Sequence, residues 1–285
     1  MAGFIEAIRA TLAEWMGEDG RDAPFLPDGL PEAVRPAASD GVFRLIDYQG
    51  PSYAQLYLDR LRRFIGRRGV GDALFTEIAR LLAIRMCYED VIRLAQLALQ
   101  RPPGPSEVRI FRLDELLATL PEVIAEPALE LIGWAGLSRR KVRLRFSTAS
   151  WFGVRRLKLE ASLRRWRLLS PRYVRERALV ERWLHMIDRA LIKQPAAAAA
   201  IVHTATLIHG TGAALRQRQA DWNLIIDQLA KPCFDGVLEL PDLAAAIAEA
   251  RAAVTRDPQQ AALKRRIAEL RTQASDGVVD RSKAS

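Results

Sequence analysis

A mainly α-helical, bundle-like domain carrying one small two-stranded β-ribbon is the fold class this sequence predicts, on three observations. Apolar residues recur at three- and four-residue steps through most of the chain, as at Tyr53, Tyr57, Leu61 and Phe64. Helix-start signals recur as well: Pro51 and Pro195 suit first-turn positions, and Ser170 followed by Pro171 pairs an N-cap with a first-turn proline. Strand-like alternation is confined to two short stretches, Val108, Ile110 and Leu113, then Val142, Leu144 and Phe146 interleaved with Lys141, Arg143 and Arg145.

In chain order, residues 1–19 read as an amphipathic helix through Phe4, Ile5, Ile8, Leu12 and Trp15, and the acids Glu6 and Glu14 argue against a signal peptide. Residues 20–40, with Pro24, Pro27, Pro31 and Pro36, read as a linker to a helical domain over 41–275. Its first helix is expected after Asp40 and its second from Pro51, with Asp59, Arg60, Arg62 and Arg63 off the apolar stripe. Asp72 to about Gln100 reads as one continuous helix, apolar almost all round and therefore central and buried. RPPGPSEV breaks it, and the two alternating stretches then pair as a ribbon with helices around Leu116 and Leu129 between them. Helices resume from about Ser150, over Arg172–Lys193 with Val180, Trp183, Leu184, Ile187 and Leu191 inward, and from Pro195 to the turn His209-Gly210-Thr211-Gly212. Further helices carry Leu215, Trp222, Ile225, Ile226 and Leu229, then span Leu240–Val254 and Ala261–Gln273, before a frayed tail over 276–285.

Composition excludes several classes. With 285 residues, 49% apolar and 27% charged, the chain is neither collagen-like, nor disordered throughout, nor a disulfide scaffold. Its net charge is +9, but the charge is local: Arg139 to Arg182 holds 15 Lys/Arg against Glu160, Glu176 and Glu181, leaving the rest of the chain net acidic. Cys87 and Cys233 form no CxxC pair and have no close His, so neither an iron–sulfur cluster nor a structural zinc site is expected from this chain alone. Free thiols point to a reducing, cytoplasmic setting. Gln194–Leu215 is free of charge and long enough to span a bilayer, yet its alanines, histidines, threonines and Gly210–Gly212 break favour a buried helix.

No catalytic residue is assigned. HGTG lacks the Lys of a phosphate loop and follows a helix, so it reads as a helix–helix turn. His203 and His209 are six apart, not the three or four that would align them on one helix face; His185 could join them only in space, and with no local ligand spacing no metal site is expected. Arg85, Glu89 and Arg93, with Tyr88 and Asp90 beside them, form a candidate polar network: at four-residue steps the charges share one face of a continuous helix and pair there, as a solvated stripe or around a small-molecule pocket.

The basic segment is the strongest signal. Trp151, Phe152, Val154, Leu157, Leu159, Leu163 and Trp166 interleave with Arg155, Arg156, Lys158, Arg164 and Arg165, followed by Arg167. Arg155, Arg156, Arg164, Arg165 and Arg167 are the candidate partner-binding residues. The partner is an anionic membrane surface, nucleic acid or an acidic protein face; plain core packing with solvated arginines is the fourth reading.

Four stretches, GVFRLIDYQGPSYAQLYLDRL (41–61), EIARLLAIRMCYEDVIRLAQL (77–97), LRRWRLLSPRYVRERALVERWL (163–184) and LIHGTGAALRQRQADWNLIIDQL (207–229), together resemble the C-terminal region of the indolepyruvate oxidoreductase beta-type subunit family, over about residues 27 to 255. In that family the region follows a 2-oxoacid oxidoreductase gamma-type domain. The resemblance implies a place in arylpyruvate oxidation to an acyl-CoA, with thiamine diphosphate, iron–sulfur clusters and ferredoxin. Matching positions are Asp47, Tyr48, Tyr53, Tyr57, Asp59 and Arg60, then Tyr88, Glu89, Asp90, Arg93, His209, Gly210 and Gly212, none with a transferable catalytic role. With the first motif starting at Gly41, the gamma-type domain is expected to be missing, and the cofactors are expected on partner subunits. The expected function is therefore an accessory or assembly subunit, not catalytic alone, that docks onto thiamine-dependent and gamma-type components. The alternative is a basic module for nucleic acid or anionic membrane.

Overall fold

Helix follows helix through the computed structural model, which describes residues 23–101 and 106–283, with side chains to 274. The helix expected over residues 1–19 lies outside the described residues. The first described helix, α1 (Arg35–Tyr48), begins six residues before the start expected after Asp40, because Pro36 occupies its first turn and Val34 and Ala38 are already buried. Helix α2 (Pro51–Arg62) opens on Pro51 as expected.

The continuous helix expected over Asp72–Gln100 is two helices, α3 (Asp72–Met86) and α4 (Val91–Gln100). Two distant tyrosines stabilise the break. The hydroxyls of Tyr53 and Tyr48 donate to the carbonyls of Met86 and Tyr88 at 3.0 and 3.1 Å, and Asp90 caps α4 by accepting from the Arg93 N–H at 2.6 Å.

The ribbon forms as predicted. Strand β1 (Glu107–Arg112) pairs antiparallel with β2 (Lys141–Phe146), placing Val108 opposite Arg145 and Ile110 opposite Arg143. The short α5 (Leu113–Leu117) and α6 (Glu122–Trp134) connect the strands. Helix α7 (Trp151–Ser162), capped by Ser150, runs into a 3₁₀ stretch over Leu163–Leu169, and Ser170 caps α8 (Pro171–Lys193).

The charge-free stretch is not one long helix but a 3₁₀ turn, the short α9 (Ala198–His203) and a second 3₁₀ turn. No helix among the described residues is long and apolar enough to cross a membrane. Gly210 and Gly212 turn the chain with φ of +92° and +62°, as the turn reading requires, into α10 (Gly212–Ile225). A π turn over Ile226–Ala230 continues it to α11 (Lys231–Phe234); α12 (Leu243–Ala252) and α13 (Ala261–Lys283) follow, the last running beyond Gln273.

Two cores result. The main one joins Tyr48, Tyr57 and Leu61 of α1 and α2, Phe75 and Ile78 of α3, Trp183 and Ile187 of α8, Ile201 of α9 and Trp222 of α10. Each such fully buried side chain contributes roughly 1.5–3 kcal/mol, and the two indoles are satisfied by the Ile201 carbonyl and Thr204 Oγ1. A smaller core gathers Val91, Leu94, Phe111, Phe146 and Leu157, so α4, the ribbon and α7 form a lobe of their own. Between the α5–α6 connection and helices α8 and α10 lies a cleft of about 360 Å³ lined by Glu115, Leu129, Arg172, Arg175, Glu176 and Arg216.

Candidate functional site

The helix break disperses the expected ladder. Arg85, on α3, is buried and donates to Glu176 of α8 at 3.2 Å and to the Ile208 carbonyl at 2.9 Å. Burial pulls its guanidinium below the ordinary arginine range, with Glu176 opposing the shift. Glu89 lies in the break, its side chain exposed and its carbonyl accepting from Arg172 at 2.6 Å. Arg93 reaches Asp47 at 2.8 Å. Asp90 meets only the backbone N–H of Arg93; its charge partner is Arg167. The three charges therefore share no face, because the helix that would align them ends at Met86.

Arg167, expected on the surface, is the centre of a buried cluster, with its side chain 1% exposed. Its Nε and Nη2 clamp the Asp90 carboxylate at 2.9 and 3.2 Å, Nη1 donates to the Tyr48 carbonyl and Gln49 Oε1 at 2.8 and 3.0 Å, and its guanidinium stacks 4.0 Å from the Tyr48 ring centre. Burial alone would lower the Arg167 pKa, but Asp90 and Tyr48 outweigh it and raise it. Tyr48 and Tyr88 are pushed up by burial, and the Tyr88 hydroxyl makes no hydrogen bond among the described residues. All three guanidinium nitrogens are used, so the cluster offers no open face to a substrate; it joins the end of α1, the start of α4 and the 3₁₀ stretch before α8. Gln49 and Glu176 were invisible in the sequence as members of these networks, since no local spacing links them to their partners.

The remaining basic residues divide. Arg156 pairs with Glu160, donates to the Arg145 carbonyl and is half-buried, as is Arg164, whose carbonyl accepts from Gln49. Arg155 and Arg165 are exposed, as are Arg139, Arg140, Lys141, Arg143, Arg145 and Lys158, and none of these eight forms an ion pair with a carboxylate among the described residues. Arg155 lies over the Trp151 ring, which meets Phe152 edge-on at 4.9 Å, and both rings are largely exposed. Trp183, directly after the segment, is core.

The ribbon lobe also carries apolar surface without cover. Of the thirteen residues of α6 only Ala125 is buried. Val123, Pro127, Leu131 and Trp134, at steps of four, four and three, lie on one face and are all exposed, Val123 by 82% and Trp134 by 90%. Val108 and Ile110 add exposed area on the ribbon face that also carries Arg143 and Arg145. Composition hinted at this: α6 is the most apolar of the long helices, with its acids confined to one stripe, Glu122, Glu126 and Glu130.

No group of three potential metal ligands occurs among the described residues. His203 lies 3.3 Å from Glu77, and His209 meets Arg218 at 2.6 Å. Cys87 and Cys233 are separate free thiols, a donor set that does not fit a cluster.

Residues 34–228 match the family described as "Family of unknown function (DUF6537)". No curated protein and no solved structure matches the chain.

Proposed function

This chain belongs to DUF6537, a family of unknown function, and we propose that it serves as an accessory or assembly subunit that docks onto a larger protein through its ribbon-bearing lobe. The observation that carries the reading is α6, whose Val123, Leu131 and Trp134 lie bare on one face. Eight cations without a carboxylate partner among the described residues, on and just before β2 (Arg139, Arg140, Lys141, Arg143, Arg145) and on α7 and the 3₁₀ stretch after it (Arg155, Lys158, Arg165), give the lobe an acidic protein partner to prefer. Glu122, Glu126 and Glu130 on α6 set negative charge at fixed positions beside the positive charge, a mixed pattern that suits a structured protein face better than the uniform phosphate charge of nucleic acid or an anionic bilayer. The four sequence motifs supply the identity of the partner in this reading: the thiamine-dependent and gamma-type subunits of an indolepyruvate oxidoreductase-like complex, which hold the thiamine diphosphate and iron–sulfur clusters.

Co-purification of the tagged chain from its native source tests this. The expected result is recovery of those subunits with the wild-type chain and their loss with Leu131→Ser/Trp134→Ser, a variant that keeps its helical circular dichroism. Recovery of the chain alone, with arylpyruvate oxidation unchanged on its deletion, overturns the proposal. So does salt-sensitive binding to duplex DNA or anionic vesicles by the wild-type chain in place of subunit recovery.

A further inference from the structure

We infer that the cleft between α10 and the segment joining α12 to α13 binds a small organic anion that also carries a hydroxyl or amino donor. The cavity is about 860 Å³, within the range of small-molecule sites, and its charged lining is Arg218, Arg251, Arg256 and Asp221. Five arginines elsewhere in the body are matched with carboxylates: Arg60 and Arg63 with Glu181, Arg67 with Asp188, Arg182 with Asp227, Arg189 with Asp235. The three in this cleft have no carboxylate partner among the described residues. Arg218 meets only His209, Arg251 donates to Thr206 Oγ1 at 2.9 Å, and Arg251 Nε is buried with no acceptor.

Asp221 shows the complementary deficit. It is 2% exposed, its Oδ1 accepts from the amides of Gln217 and Gln260 at 3.0 and 2.7 Å, and its Oδ2 is buried without a donor. Three arginines without a carboxylate partner and an aspartate with one unsatisfied oxygen therefore belong to the lining of one cavity without pairing. A ligand anion held by the arginines, with a donor directed at Asp221, satisfies both sets. Three guanidinium groups against one carboxylate leave the cleft positive, which concentrates anions there. Burial also draws the Arg251 guanidinium below the ordinary range, the direction a desolvated cation without a counter-charge takes.

The site rests on residues that the docking proposal does not use, and its test is separate. Glycerol 3-phosphate, glycerate and inorganic phosphate are titrated calorimetrically into the full chain at constant ionic strength. The expected result is saturable binding of glycerol 3-phosphate or glycerate with a Kd of about 1 mM or tighter, which distinguishes a phosphate from a carboxylate ligand. Arg251→Met and Arg218→Met, checked for retained helical circular dichroism, should each weaken it about tenfold or more. Asp221→Asn should reduce the preference over inorganic phosphate. Absence of saturable binding, or equal affinity in the folded Arg251→Met variant, overturns the inference.

Discussion

Arg167 and Asp90, 77 residues apart in the chain, form a two-pronged ion pair in which both side chains are 1% exposed. One arginine of a strongly basic segment is thereby removed from the surface and made the link between α1, α4 and the approach to α8.

Removing that arginine leaves Asp90 buried without its cation. Arg167→Met is expected to cost about 3–5 kcal/mol, whereas Arg155→Ala and Arg165→Ala, both exposed, should change stability by less than about 0.5 kcal/mol. Urea denaturation of the three variants checks the contrast. Equal, small losses would mean that the pair is not the clamp described.

Gly41 is a packing requirement. A Cβ there would lie 2.5 Å from the Tyr57 hydroxyl and 2.6 Å from its Cζ, and Tyr57 is fully buried with its hydroxyl donating to the Ala79 carbonyl at 3.0 Å. Alanine ordinarily gains up to about 1 kcal/mol over glycine inside a helix, but overpacking of this kind costs about 1–3 kcal/mol. Gly41→Ala should therefore lower the melting temperature; a rise would contradict the close approach of α1 and α2.

Glu181 makes stability depend on acid. Burial raises its carboxyl, but Arg60, with donors at 2.9 and 2.7 Å, and Arg63 outweigh this and hold it below its usual 4.5. A pKa depressed in the folded state contributes stability that is fully present above the unfolded value and lost as pH falls through the folded one. Denaturation midpoints should therefore fall from pH 5 downward, and less steeply in Glu181→Gln. An identical slope in that variant would assign the acid sensitivity to other groups.

The two thiols should resist alkylation while the chain is folded. Burial pushes Cys87 up to about 12 and raises Cys233 as well, so little thiolate exists at pH 8. Iodoacetamide should label both only after denaturation, as read by intact mass. Rapid labelling of the native chain would show that Cys87 is activated.

Much of the fold was legible in the sequence because its signals are local. The Ser170–Pro171 cap, the Pro51 helix start and the HGTG turn each depend on residues a few positions apart, and all stand where the sequence places them. The alternation at Val108 and Val142 predicted strands, and their pairing followed because the chain between them folds as α5 and α6 and returns.

What the sequence determined by itself was a mainly helical protein with one ribbon and a concentrated band of positive charge, since periodicity, capping and charge are properties of neighbours along the chain. Only the tertiary structure decided that α3 ends at Met86, where hydroxyls from Tyr48 and Tyr53 meet the carbonyls of the break, and which arginines face water. Arg165 and Arg167 are two residues apart with the same side chain, yet one is exposed and the other is enclosed by Tyr48, Gln49 and Asp90. A buried charge is stable only where distant partners converge to desolvate and pair it together, and that convergence exists only in the folded chain.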